Sequence, residues 1–219
     1  MVIAIDGPAG SGKSTVARLA AKKLGVSYVD SGAIYRAYTL QFLNNGINLN
    51  DEQSVSNVLN QTKIELENSD DSSVIFLNGR DVTKEIRSFE VTALVSSVSE
   101  IPQVREAVNR KLREIPENTS IVLEGRDIGT VVFPDADFKF YLDASIEERA
   151  KRRYKEVELS EKNTDLEEIK GDIQRRDKQD KERSIAPLRK ANDAVELDTT
   201  NLNLEQVVGF IIENVTKVY

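Results

Sequence analysis

A glycine-rich run near the amino terminus has the composition of a phosphate-binding loop. It follows the pattern G-x-x-x-x-G-K-S, in which glycines let several backbone N–H groups point at one anion. Lys13 would place a positive charge on the β- and γ-phosphates of a nucleoside triphosphate, and the Ser14 hydroxyl would ligate Mg²⁺. The run comprises Gly7, Pro8, Ala9, Gly10, Ser11, Gly12, Lys13, Ser14 and Thr15. It predicts binding of ATP or a similar triphosphate with magnesium and leaves the phosphate acceptor open.

The segments on either side of this run are those that a phosphate-binding loop requires. Residues 2–6 form a nearly continuous apolar run, typical of a buried parallel strand. Residues 15–24 are rich in Ala and Lys, which favours a helix. The amino terminus of that helix would add about half a positive charge at the loop. A glycine turn without a function would need neither the lysine nor the serine.

Composition limits the chemistry. The 219 residues are 39% hydrophobic, enough for one substantial core, and they include no Cys and no His. Thiolate catalysis, a His general base and zinc sites built from Cys or His are therefore excluded. The net charge of −7 argues against general nucleic-acid binding, so cations for a phosphate substrate must be concentrated locally. No apolar run is long enough to span a membrane and no signal peptide is evident, so we expect a cytoplasmic protein.

Strand-like and helix-like segments alternate along most of the chain. Alternation of this kind predicts a single α/β domain over 1–219, with a parallel sheet covered by helices on both faces. The core strands are expected near residues 2–6, 26–30, 120–124, 137–142 and 194–198. Helices are expected near 31–44, with Ser31 as the cap, and near 51–61, 85–100, 102–115, 165–183 and 204–218. Within residues 62–84, the segments 63–67 and 74–77 have the alternating pattern of strands, and Asn78-Gly79 is a hairpin signal. We therefore interpret 62–84 as a small antiparallel insertion.

Charged residues follow the strand expected at 120–124. Functional groups in open α/β sheets lie beyond the carboxyl ends of the strands, which is where Arg126 and Asp127 stand. A structural ion pair in a loop is the alternative. Glu124 closes the strand itself, where a carboxylate could hold the water ligands of a magnesium ion.

Two helices further along the chain carry clustered cations. Arg149, Arg152 and Arg153 share one face of a helix that we expect Ser145 to cap, and a like-charged face favours an anionic partner. A solvated face compensated by neighbouring Glu residues remains an alternative. Arg176 and Asp180 share a face with Arg183 on the following long polar helix.

Several longer motifs occur in an order that resembles bacterial cytidylate kinases, of the nucleoside monophosphate kinase group. They are GPAGSGKST at 7–15, DSGAIYR at 30–36, PQVREAV at 102–108, EGRDIGTVVFPDA at 124–136, LDAS at 142–145, ERAKRR at 148–153 and IAPL at 185–188. The resemblance covers essentially the whole chain. It implies a five-stranded parallel core, a monophosphate-binding insertion at 62–84 and a helical lid at 148–160. The implied activity is transfer of the ATP γ-phosphate to CMP or dCMP with Mg²⁺, by a protein expected to be a monomer.

The resemblance also assigns roles to individual positions. The residues implied around the acceptor phosphate are Ser31, Arg36, Arg126 and Arg183. Those implied to bind cytosine are Ser96, Arg105 and Asp127, and those on the sugar side are Arg176 and Asp180. The catalytic cations would be Lys13, Arg126, Arg149, Arg152, Arg153 and Arg183, with Ser14 and Glu124 at the metal. This agrees with what phosphoryl transfer needs, which is in-line positioning and distributed positive charge.

Other classes of protein share the phosphate loop. A kinase for UMP or shikimate would be distinguished from a cytidylate kinase by assaying a panel of substrates with ATP. A GTPase-like switch would favour a guanine-specific N-K-x-D motif, which the chain lacks. An ATP-coupled assembly protein would hydrolyse ATP without a phosphorylated product.

The loop assignment makes a direct prediction about Lys13. Lys13→Ala should reduce kcat by about a hundred-fold or more while the protein stays folded, because one preorganised electrostatic donor is lost. Steady-state kinetics together with circular dichroism would measure both properties. Near-normal turnover in the folded variant would contradict the assignment.

Overall fold

The architecture is taken from a computed structural model that describes residues 1–68, 73–114, 119–158 and 165–217. The chain forms two compact units, one of Met1–Val29 with Thr119–Tyr219 and the other of Asp30–Asn118. The predicted insertion at 62–84 includes residues 69–72, and the predicted lid at 148–160 includes residues 159 and 160, all of which lie outside the described ranges. None of the helices within those ranges has the length and apolarity that crossing a membrane requires.

The elements alternate much as the sequence predicts. The strands are β1 (Val2–Asp6), β2 (Ser27–Asp30), β3 (Ile64–Asn68), β4 (Ser73–Leu77), β5 (Arg80–Asp81), β6 (Ile121–Gly125), β7 (Phe138–Asp143) and β8 (Val195–Asp198). The helices are α1 (Lys13–Leu24), α2 (Ser31–Asn44), α3 (Glu52–Gln61), α4 (Phe89–Val98), α5 (Pro102–Arg113), α6 (Ile146–Glu158), α7 (Leu166–Glu182) and α8 (Leu204–Thr216). A 3₁₀ turn covers Glu85–Arg87 and a π-helical turn covers Ile128–Val132.

The five-stranded parallel sheet has the order β2-β6-β1-β7-β8, which confirms the predicted fold class. Its central strand β1 pairs in parallel with β6 on one side and β7 on the other. Asp6, the last residue of β1, is in register with Gly125 at the end of β6. The loops that leave these two strands therefore start side by side at the carboxyl edge of the sheet, where α/β proteins bind their ligands.

The core of the first unit lies between this sheet and the helices α1 and α8. Ile3 and Ile5 of β1 are fully buried, as expected for a central parallel strand covered on both faces. Small side chains such as Ala17 and Ala20 bring α1 close to the sheet, and Ile211 seals the core from α8. Each fully buried large aliphatic side chain contributes about 1.5–3 kcal/mol.

The second unit combines α2 to α5 with an antiparallel sheet of order β3-β4-β5. Asn78 and Gly79 both have positive φ, 52° and 80°, and connect β4 to β5. Positive φ at both central residues is the requirement of a type I′ hairpin turn, so the hairpin signal is confirmed.

Two local predictions were wrong. The cap of α2 is Asp30 rather than Ser31, since the Asp30 carboxylate accepts the Ala33 N–H at 3.0 Å. The helix expected over 85–100 is interrupted because Ser88 is extended, with φ −60° and ψ 164°, and its hydroxyl caps α4 by accepting from the Val91 N–H. In both places a side-chain acceptor at a helix start decides the boundary.

Two glycines should respond to alanine with opposite signs. Gly79→Ala should lower the free energy of unfolding by about 1–2 kcal/mol, because φ of 80° is strained for a residue with a Cβ. Gly171→Ala, inside α7 with no atom within 4 Å of the added methyl, should raise it by up to about 1 kcal/mol. Urea denaturation of both variants would show the signs, and equal signs would contradict the assigned backbone conformations.

Candidate active site

The glycine-rich loop lies between β1 and α1 and is shaped by close backbone contacts. A Cβ on Gly7 would stand 2.1 Å from the Leu142 carbonyl oxygen, so only glycine fits there. Gly12, with φ 83°, is the residue from which α1 begins. Lys13 is buried and its Nζ donates to the Pro8 carbonyl at 2.9 Å, whereas Thr15 is exposed in the first turn of α1. The sequence therefore folds locally into the strand, loop and helix that an anion site needs.

Two oxygen groups meet beside this loop. The Ser14 hydroxyl donates to Glu124 Oε1 at 2.5 Å, and the Tyr28 hydroxyl donates to the same oxygen at 3.5 Å. Glu124 is buried near the end of β6. A hydroxyl and a carboxylate fit a magnesium ion that takes one or two protein ligands and keeps water and phosphate oxygens for the rest. Tyr28, the second residue of β2, was not predicted from the sequence.

Burial and like charges shift the ionisation of Lys13. Burial, reinforced by the nearby Arg126, lowers the pKa of Lys13 to about 7, although Glu124 acts in the opposite direction. An anion placed on this ammonium group would raise its pKa again, because it would counter both causes. The lysine is therefore poised to bind negative charge.

Asp6 fastens the loop after β6. Its two carboxylate oxygens accept the Ile128 and Gly129 N–H groups, each at 2.8 Å. Burial raises the pKa of Asp6 to about 6 despite these two hydrogen bonds. This residue, absent from the sequence-based site, orients the start of the π-helical turn and with it the preceding Arg126 and Asp127.

Arg126 and Asp127 each have a partner at the end of α7. Arg126 Nε donates to Asp180 Oδ2 at 2.8 Å, and Arg183 Nη2 donates to Asp127 Oδ1 at 3.3 Å. Burial alone would lower the pKa of Arg126, but the attraction and hydrogen bond of Asp180 outweigh it and raise that pKa. The same contacts outweigh burial at Asp180 and lower its pKa. Arg183 Nη1 also lies 3.8 Å from Asp180 Oδ1, so these four predicted site residues form one network.

Arg176 carries a buried donor that is unsatisfied within the described parts of the chain. Its Nε has no hydrogen-bond partner among them. Burial, with repulsion from Arg126 and a smaller repulsion from Arg153, lowers the pKa of Arg176 to about 10. A ligand that supplies an acceptor would relieve both costs.

Two of the three arginines of α6 are engaged with backbone carbonyls. Arg149 donates to Ala144 O at 3.0 Å and to Ala9 O at 2.9 Å, and it pairs with Asp177 at 2.6 Å. Arg152 donates to Thr199 O at 2.7 Å and to Ser11 O at 3.3 Å. These contacts tie α6 to the glycine-rich loop.

The second unit contains four further predicted residues. Arg36 donates to Thr92 Oγ1 at 2.8 Å and to Ile86 O at 3.2 Å. Arg105 is buried, donates to Ser99 O at 3.1 Å and lies 5.7 Å from the centroid of the Tyr35 ring. Ser31 and Ser96 are buried in α2 and α4. The roles assigned to these four residues stay predictions.

Fold and loop together define a P-loop protein, and arginines packed beside a phosphate loop are typical of a phosphoryl-transfer enzyme. An uncharacterized protein from Eubacterium ventriosum has a similar structure, with a TM-score of 0.51 and 12% identity, covering 99% of this chain and 98% of that one. At that identity the similarity concerns the fold alone.

Sequence comparison defines the family. The Cytidylate kinase family model matches residues 3–217. The chain is 50% identical to the cytidylate kinase of Geobacillus sp. (strain WCH70), covering 98% of this chain and 96% of that protein. It is 49% identical to that of Leuconostoc mesenteroides subsp. mesenteroides, covering 97% and 96%. The chain therefore belongs to the cytidylate kinase family, which confirms the resemblance seen in its motifs.

The low pKa of Lys13 predicts proton uptake on nucleotide binding. At pH 8 a lysine with a pKa of about 7 is mostly neutral, and a bound triphosphate should raise that pKa so that up to about one proton is taken up. Calorimetry of a non-hydrolysable ATP analogue in buffers of different ionisation enthalpy would count the protons. Lys13→Met should abolish the uptake, and its absence in the unaltered protein would contradict the shift.

Proposed function

We propose that this protein transfers the γ-phosphate of ATP to CMP or dCMP, giving ADP and CDP or dCDP. The observation that carries the proposal is the phosphate loop with Lys13, beside the network that joins Arg126 and Arg183 to α7, in a chain of the cytidylate kinase family. Phosphoryl transfer depends on positioning and distributed positive charge, and this unit supplies both without a His or Cys.

The donor side is built on the glycine-rich loop. Its backbone N–H groups and Lys13 would hold the β- and γ-phosphates, and Ser14 with Glu124 would hold Mg²⁺. The metal, when bound, would neutralise charge on the phosphate oxygens. Arg152 and Arg153 of α6 would add positive charge near the transferred group.

The acceptor side is assigned from the residues that match the motifs of the family. Arg36, Arg126 and Arg183 would bind the acceptor phosphate together with Ser31, because a planar guanidinium binds phosphate oxygens in pairs. Arg176 and Asp180 would bind the sugar hydroxyls. The unsatisfied Nε of Arg176 supports an acceptor at that position.

Cytosine would be selected by its hydrogen-bonding edge. Cytosine offers an amino donor at C4 and an acceptor at N3, where uracil has a carbonyl and an N–H. A carboxylate such as Asp127 would accept from the amine and repel the carbonyl, and Arg105 would donate to N3, with Ser96 beside them. Mismatched donors and acceptors would exclude UMP.

Asp127 tests this selectivity, since the structure also gives it a second role as the partner of Arg183. Asp127→Ala should lower kcat/KM for CMP by much more than for UMP, narrowing the ratio by roughly five- to 150-fold, because one polar discrimination is worth ~1–3 kcal/mol. Kinetics with both nucleotides would measure the ratio. If Asp127 only holds Arg183, both nucleotides should lose equally, and a fixed ratio would defeat base recognition.

The function itself is tested by a substrate panel. Coupled ADP release with CMP, dCMP, UMP, AMP and shikimate should show CMP and dCMP as the preferred acceptors, and EDTA should abolish the activity until Mg²⁺ is restored. Preference for UMP or shikimate would contradict the proposal and indicate another small-molecule kinase.

We also propose that the enzyme is a cytoplasmic monomer. Cell fractionation would test its location, and sedimentation would test its oligomeric state.

A further inference from the structure

Both backbone groups of Ala9, near the tip of the phosphate loop, are bound by one buried ion pair. Asp177 Oδ1 accepts the Ala9 N–H at 3.1 Å, and Arg149 Nη1 donates to the Ala9 carbonyl at 2.9 Å. Arg149 Nη1 also donates to Asp177 Oδ2 at 2.6 Å, which closes a ring of three residues. Asp177 comes from α7 and Arg149 from α6, so two helices hold one residue of the loop.

The ring is buried and tightly packed. Ala9 is 4% exposed, and Arg149 and Asp177 are each 7% exposed. The Ala9 side chain lies in an apolar cluster with Ile169 and Ile173 of α7. A Cβ on Gly10 would lie 3.0 Å from the Arg149 carbonyl oxygen, so the loop passes directly over α6. Buried charge-assisted hydrogen bonds of this kind hold a defined geometry.

The ring fixes the direction of two successive peptide groups. In a trans peptide the C=O and the following N–H point in opposite directions. Because Arg149 holds the Ala9 carbonyl, the Gly10 N–H is directed away from Arg149. Because Asp177 holds the Ala9 N–H, the Pro8 carbonyl is directed away from Asp177, and this carbonyl accepts from Lys13 Nζ at 2.9 Å.

The pairing of charges also suits a neighbouring triphosphate. A lone carboxylate beside the loop would repel phosphate, but Arg149 neutralises Asp177 within the ring. The guanidinium of Arg149 is meanwhile occupied by Ala9, Asp177 and the Ala144 carbonyl.

We propose that Asp177 and Arg149 are positioning residues for the donor nucleotide: their ion pair sets the peptide orientations at Ala9 that aim the loop and Lys13 at the phosphates of ATP. Asp177 is outside the sequence-based site, and Arg149 acts through Ala9 instead of touching a phosphate. The inference goes beyond the proposed function and rests on it only for the comparison with CMP.

The test compares Asp177→Ala and Asp177→Asn with a matched control on the same helix. Asp172→Ala removes an aspartate of α7 whose partner Arg175 is exposed, so it should behave like the unaltered protein. Calorimetry with a non-hydrolysable ATP analogue plus Mg²⁺, and separately with CMP, gives both dissociation constants. Steady-state kinetics gives KM for ATP and CMP.

Asp177→Ala should raise the dissociation constant and KM for the ATP ligand by roughly ten- to a hundred-fold, because small misplacements of a binding loop are costly. Binding of CMP should change by less than about threefold, because Asp177 hydrogen-bonds to Ala9 and Arg149 and acts on Arg126 and Arg176 at longer range through its charge. Asp177→Asn keeps an acceptor for the Ala9 N–H but loses the charge that faces Arg149. It should therefore also weaken binding of the ATP ligand more than binding of CMP, but by a smaller factor than Asp177→Ala.

Unchanged ATP-analogue binding in a folded Asp177→Ala variant, or equal losses for both ligands, would overturn the proposal. If Asp177→Ala does not fold, Asp177→Asn decides by the same criteria against Asp172→Ala. If the unaltered protein binds the ATP analogue but does not phosphorylate CMP, the proposed function fails, and the ATP-analogue constants of Asp177→Asn and Asp172→Ala still decide the positioning role.

Discussion

Packing several cations beside one glycine-rich loop is the constraint on which the rest of this structure depends. Burial, with repulsion from Arg126, lowers the pKa of both Lys13 and Arg176, and the carboxylates packed among these cations act in the opposite direction. Asp180 raises the pKa of Arg126, and Glu124 opposes the shift of Lys13. Although the chain has a net charge of −7, several cations can be packed together here because carboxylates pair with them. A phosphate ligand would add the further negative charge that the cluster favours.

The parallel sheet brings the cations together because the loops that carry them follow neighbouring strands. Because β1 pairs with β6, the phosphate loop and the loop with Arg126 leave the sheet at neighbouring points, and Asp6 joins them by accepting two N–H groups. Helix α7 then supplies Asp180 to one loop and Asp177 to the other. Each contact crosses more than fifty residues of sequence, so the site exists only when the first unit is folded.

The sequence could predict features that have a short-range signal or that belong to a motif of the family. The strand, loop and helix around Lys13, the Asn78-Gly79 turn and the five core strands have short-range signals, and the structure confirms them. The break at Ser88 was missed because a serine suits both a cap and a polar helix position. The partners of Arg149 were missed because Ala9 and Asp177 are distant in sequence and one contact is to a backbone carbonyl, which leaves no residue pattern. The nucleotide contacts remain predictions.

The cation cluster should deliver the γ-phosphate of ATP to a nucleotide and not to water. The most direct measurement is the fate of the label from γ-³²P-ATP in a single turnover with Mg²⁺, with and without CMP. Nearly all transferred label should appear in CDP when CMP is present, and little inorganic phosphate should form without it. Label released as inorganic phosphate at the same rate with or without CMP would rule out transfer to a nucleotide and favour a nucleotide-hydrolysing protein.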